Sequence, residues 1–335
     1  MRQWLQVLVI CVAHSSFAWC AVAAHDAQQK SAAERFQAWK AAAAQKLGAR
    51  ADADSLATAA ALLFAGASAK PGADAAALDL AARASALAPS DAAIAWLRLQ
   101  LCRAAPDCDF RDAATAMRWI AADNAAAWLP NLSLAQKDRD KTEVDRILAD
   151  MVLGKRFDIY WNRINVMMID ALKSVAGSLP GASFNSDAGR LRIVRGIAGS
   201  EVVPAYHPLI DACRSPGGAG ERRDSCLKLA RIMQQGDVIS SQLVGFGMER
   251  RFASPDGREA RAIDDRRHVL DYRLSTAAKF DDPLLPWLRN KRARWRLARM
   301  RSTQREEDVC LAIIREQGMA PDPPGERPVS DPQHP

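Results

Sequence analysis

Histidine is almost missing from this 335-residue chain, which holds five, at positions 14, 25, 207, 268 and 334. So few imidazoles argue against a histidine-built metal centre and leave little material for general acid–base chemistry. Threonine occurs only at 58, 115, 142, 276 and 303, and there are three tyrosines, whereas alanine abounds. Strand formers are therefore scarce beside the best helix former, and the expected fold is all-α. Beyond the N-terminus no stretch approaches the ~18 apolar residues of a membrane helix. G-x-S-x-G, H-E-x-x-H, P-loop and paired metal-ligand motifs are also missing, so no catalytic residue, metal or cofactor is assigned.

The first residues are organised for export. Met1-Arg2 supplies a positive charge, and Trp4 to Ala13 is interrupted by only one strongly polar residue, Gln6. Ala21-Val22-Ala23 then offers an A-x-A cleavage site. This layout predicts a signal peptide over 1–23 and a periplasmic or secreted protein, the alternative being an uncleaved membrane anchor. Trp19 precedes Cys20 where a lipoprotein signal carries a small residue, so no lipid anchor is read.

An oxidising destination gives the cysteines meaning. Cys102 and Cys108 flank one inter-helix turn, and Cys213 and Cys226 flank the Gly-rich break from Ser215 to Gly220. Each pair is expected to form a disulfide worth ~2–3 kcal/mol, the alternative being unlinked buried thiols. Cys310 is left over and reads as a core residue.

Charge is uneven. Residues 25–189 balance 19 Lys and Arg against 19 Asp and Glu, whereas 190–335 hold 26 against 20. The densest basic stretch, 289–301, places Arg292, Arg296 and Arg299 on one helical face near Trp295. It is read as the solvated side of a packed helix, with anionic-headgroup or nucleic-acid binding as the alternative.

Two segments repeat one pattern: Leu87 to Leu97 (LAPSDAAIAWL) and Ile120 to Leu129 (IAADNAAAWL), offset by 33 residues at their starts and 32 at their ends. That period belongs to helix-pair arrays. Helices are predicted at 31–48 (opened by Ser31-x-x-Glu34), 55–66, 74–88, 90–102 (capped by Ser90) and 112–121. Another begins at Asp123 or Asn124 with a break at Pro130, followed by 142–154 and an apolar stripe through Phe157, Tyr160, Trp161, Ile164 and Met168. Residues 177–189 read as a linker. Beyond it helices are expected near 189–199, 205–214, 221–235, 238–252, 258–279, 283–301 and 304–317. The last two start at Asp282-Pro283 and at a Thr303-x-x-Glu306 capping box. From 319 a Pro-rich tail without core residues reads as disordered.

Ala77, Ala84 and Pro89 stand at A-x6-A-x4-P, so residues 55 to about 150 resemble a tetratricopeptide-type repeat. The family's large aromatic between the alanines is replaced by Ala81. The resemblance implies a superhelix of stacked hairpins whose inner face binds a peptide or protein segment, and carries over no catalytic residue. The expected organisation is thus a TPR-like α-solenoid over 24–177, a second helical region over 178–318, and the tail.

Remaining features are weak. His207 or His268 beside scattered carboxylates would be needed for a helical enzyme, the main rival to an interaction module. Asp264, His268 and Asp271 share a face at metal-compatible spacing, but Arg261, Arg266, Arg267 and Arg273 lie in the same helix and can pair with the carboxylates. Gly245-Phe246-Gly247 reads as a close helix contact, and Asn131-Leu132-Ser133 as a chance match to a glycosylation acceptor.

Overall fold

A computed structural model describes residues 32–64, 73–105, 108, 110–214, 220–281 and 286–324. The regular secondary structure of its described residues is all helical, with no strand. The chain opens with α1 (32–48), followed by α2 (Ala53–Phe64), α3 (Ala73–Leu87), α4 (Ala92–Ala104) and α5 (Phe110–Ile120). A 3₁₀ turn, Ala125–Trp128, leads into α6 (Leu129–Lys137) and α7 (Lys141–Met151). The next helices are α8 (Trp161–Val175), the one-turn α9 (Ala182–Asn185), α10 (Asp187–Glu201), α11 (His207–Ala212) and α12 (Glu221–Gln234). The chain ends with α13 (Ile239–Phe252), α14 (Arg258–Asp281), α15 (Pro286–Ser302) and α16 (Glu306–Glu316).

Local chemistry explains the boundaries, with several shifts from expectation. Asp91, not Ser90, caps α4, its carboxylate accepting from the amides of Ala93 and Ile94. Asn124 caps the 3₁₀ turn through Ala126 N–H, and Pro130 stands in the first turn of α6, where a missing N–H leaves no bond unmade. Phe157 and Tyr160 precede α8 rather than belonging to it. Glu306 does not close a capping box on Thr303, because its carboxylate accepts from Ile239 N–H across the molecule. The leader 1–23, Ser31, the Gly66-to-Gly72 connection and Asp282-Pro283 lie outside the described residues.

Hairpins α2/α3, α4/α5 and α6/α7 each pack internally, and α3 packs on α4. Alanines 57, 59, 60 and 61 of α2 are buried, and their small side chains let neighbouring helices approach closely. The open groove expected along the first helices is filled by the chain itself. Both α8 and α10 pack on α2 and α4, and α15 packs on α8 and α10.

Residues 177–189 consequently form part of the packing. Leu179 is buried, Phe184 packs among Phe36 and Trp39, and Trp39 Nε1 donates to Asn185 Oδ1 at 2.9 Å. Farther in, the buried Trp96 donates to Val202 O at 3.0 Å. The regions on either side of 177 share one core. The start of the Pro-rich tail is also engaged: Tyr272 donates to Ala320 O, Arg273 pairs with Asp322, and Pro323 is buried.

Cys102–Cys108 and Cys213–Cys226 form disulfides with Cα separations of 5.2 and 5.7 Å. Cys310 is buried and takes part in neither. Two disulfides fit an oxidising, extracytoplasmic compartment. No helix among the described residues is long and apolar enough to cross a membrane.

Candidate functional site

The extended segment between α7 and α8 builds a cleft of about 520 Å³, walled by Arg156, Asp158, Tyr160 and Arg163 on one side and residues 300–304 on the other. Its placement begins at Gly154, where a Cβ would lie 2.9 Å from Ala125 N, so only glycine allows this approach to the second repeated segment. Beyond it, Lys155 N donates to Asp123 O at 2.8 Å and Ala125 N to Arg156 O at 2.9 Å.

Asn124 then acts as a peptide unit. Its buried amide accepts from Asp158 N at 2.9 Å and donates to Asp158 O at 2.8 Å, with a second donation to the Tyr160 hydroxyl at 3.3 Å. At the equivalent place in the first repeated segment, Asp91 accepts from Arg163 at 3.0 Å. Both repeat caps thus face one short stretch, 156–163.

Asp237 secures the stretch from behind. Its two carboxylate oxygens accept from Ile159 N and Trp161 N, each at 2.8 Å, and its own carbonyl accepts from Glu306 N at 2.8 Å. Burial pushes its pKa up to about 7, helped by the charges of Asp158 and Glu306 and opposed by the two amides. With both oxygens engaged, Asp237 is a positioning group. Tyr160, in the left-handed region at φ 59°, completes the turn into α8. Burial raises its phenol, against the opposing charge of Arg156.

The cleft's arginines are all matched within the chain. Arg156 grips Asp123 and Asp158, Arg163 bridges Asp54 and Asp91, and Arg301 meets Asp170. The surface is rich in donors and acceptors of both signs, with Thr303, Gln304 and Val166 completing the lining. Such a surface suits polypeptide backbone and mixed side chains.

The sites expected from sequence lie elsewhere and are mostly dispersed. His207 is exposed at the start of α11 and His268 is exposed on α14, neither lining this cleft. Asp264 pairs with Arg250 and Asp271 with Arg267, and no group of three metal-ligating side chains occurs among the described residues. The three arginines of α15 do not share a solvated face. Arg296 is buried; Arg292 donates to Phe280 O at 2.7 Å and lies 4.4 Å over its ring; only Arg299 is exposed, over Trp295. Asn131 sits within α6 with its Oδ1 buried, not on a loop. Gly245 does mark a close helix contact, since a Cβ would lie 2.6 Å from Ala230 O. The residues that sequence reasoning missed are Arg156, Asp158, Arg163 and Asp237. The usable signal was Gly236-Asp237 between two helical patterns.

Comparison of this chain with family models, with curated proteins and with solved structures finds no match.

Proposed function

We propose that this chain is an exported bacterial envelope protein, a TPR-like helical-repeat module that holds a polypeptide segment of a partner protein in the cleft at 156–163. One observation carries the reading. The repeated segments place Asp91 and Asn124 against the same stretch, so both segments and α8 contribute to one surface. The signal-like N-terminus and two disulfides support export. The own-chain helices α8 and α10 occupy the inner side of α2 and α4, which favours this short cleft over a long groove as the docking place.

Binding here would exchange existing Arg–Asp pairs for contacts with the partner, giving specificity more than raw affinity. The test is affinity capture from envelope extract with wild type, Arg163→Glu and the surface control Arg214→Glu. A specific partner retained by wild type and the control but lost by Arg163→Glu is expected. No partner above background across several salt concentrations, or equal capture by all three, would overturn the proposal.

A further inference from the structure

Helix α10 carries two cavities on adjoining stripes. Toward α1 and α9, a mostly apolar groove of about 460 Å³ is walled by Phe36, Phe184, Ile193 and Ile197 and floored by Gly189 and Gly196. Toward α15, a cavity of about 420 Å³ is lined by Arg192, Arg195, Arg289 and Arg292 with Ala188 and Leu191. Arg192 belongs to both. No carboxylate lines either: Asp187 is engaged by Arg190 and Arg294, and Glu201 interacts with the buried Lys40 at the groove.

We infer that these neighbouring cavities, which share Arg192, bind an amphiphile with one anionic headgroup and a single apolar chain, the head among the four guanidinium groups and the chain along the groove. Three observations converge. Four arginines line one cavity, and the other, which shares Arg192 with it, is mostly apolar apart from that residue and Lys40. Arg192, at the junction, is exposed and has neither hydrogen bond nor ion pair among the described residues. Gly196 lies one turn further along the ridge, where a Cβ would meet nothing within 4 Å. Glycine inside a helix is unfavourable relative to alanine, and no packing contact here requires it; a bare ridge lets an acyl chain lie against the backbone. Guanidinium forks pair bidentately with carboxylate or phosphate, which sets the headgroup class.

The test is calorimetric titration of the mature protein, below micelle concentrations, with dodecyl phosphate, laurate, dodecyl maltoside and inorganic phosphate. Saturable one-to-one binding of dodecyl phosphate, laurate or both is expected, identifying the headgroup, with dodecyl maltoside and inorganic phosphate about tenfold weaker or more. Arg192→Ala should weaken the anionic amphiphile about tenfold at unchanged melting temperature. Gly196→Leu should weaken the dodecyl compounds but not inorganic phosphate. Equal binding of dodecyl maltoside, no saturable binding of either anionic amphiphile, or wild-type affinity in the arginine variant would overturn the inference. Should Gly196→Leu fail to fold, the arginine variant decides, because Arg192 is exposed and makes no bond to lose.

Discussion

At Asn124 one nitrogen atom separates two otherwise similar segments. Asp91 needs only to accept, from two amides and an arginine, and a carboxylate serves. Asn124 must both donate to and accept from Asp158, which a carboxylate cannot do. Asn124→Asp should therefore destabilise the fold by about 2–4 kcal/mol in urea titration, by losing donations and placing a buried charge against a carbonyl. Loss below about 0.5 kcal/mol would refute the account of this contact. Asp237 makes a prediction with a pH sign. Its folded pKa near 7 lies above the ~3.9 of an unfolded aspartate, so the native chain holds an extra proton between those values. Its contribution therefore declines as pH rises from about 4 to about 7, by at most roughly 1.4 kcal/mol per unit, and levels off above. Melting curves of wild type should show this decline, and Asp237→Asn should flatten it. Parallel curves for the two proteins would contradict the assignment.

Among elements, Gly196 of α10 and Gly245 of α13 stand in opposite surroundings. Gly245 lets α13 approach α12, so Gly245→Ala should destabilise by about 1–3 kcal/mol through overpacking. Gly196 faces open space, so Gly196→Ala should stabilise by roughly 0.5–1 kcal/mol. Thermal melts of both variants decide, and a shared direction of change would contradict the packing described. The sequence pattern alone could not separate these two glycines, since both stand in helix interiors and only their neighbours differ. Helix extents were legible because Ala-rich runs, acidic caps and prolines punctuate this chain locally. Caps moved by one residue where two candidates adjoined, as at Ser90 and Asp91. Glu306 escaped the expected box because its partner, Ile239, lies 67 positions away.

For the molecule as a whole, the helical fold was readable and the way the chain closes on itself was not. A 33-residue spacing reports hairpins, but whether α8 and α10 turn back onto α2 and α4 depends on contacts such as Trp96 to Val202, 106 residues apart. The cleft was invisible for the same reason: Asp54, Asp91, Asn124, Asp158 and Asp237 meet only after closure. The disulfides were legible because each spans a single loop. Reduction should lower stability by about 2–3 kcal/mol per bridge, and labelling of the denatured, non-reduced mature chain should find one thiol. Five labelled thiols would refute both bridges. The cleft itself is tested most directly by a photo-reactive residue at Gln304, with a matched probe at Arg214, which is exposed and does not line the cleft. A partner adduct formed from 304, absent from 214 and abolished by Arg163→Glu, is the predicted result. The same adducts from both positions, or none from 304, would contradict the claim that the cleft built on the two repeat caps is where a partner docks.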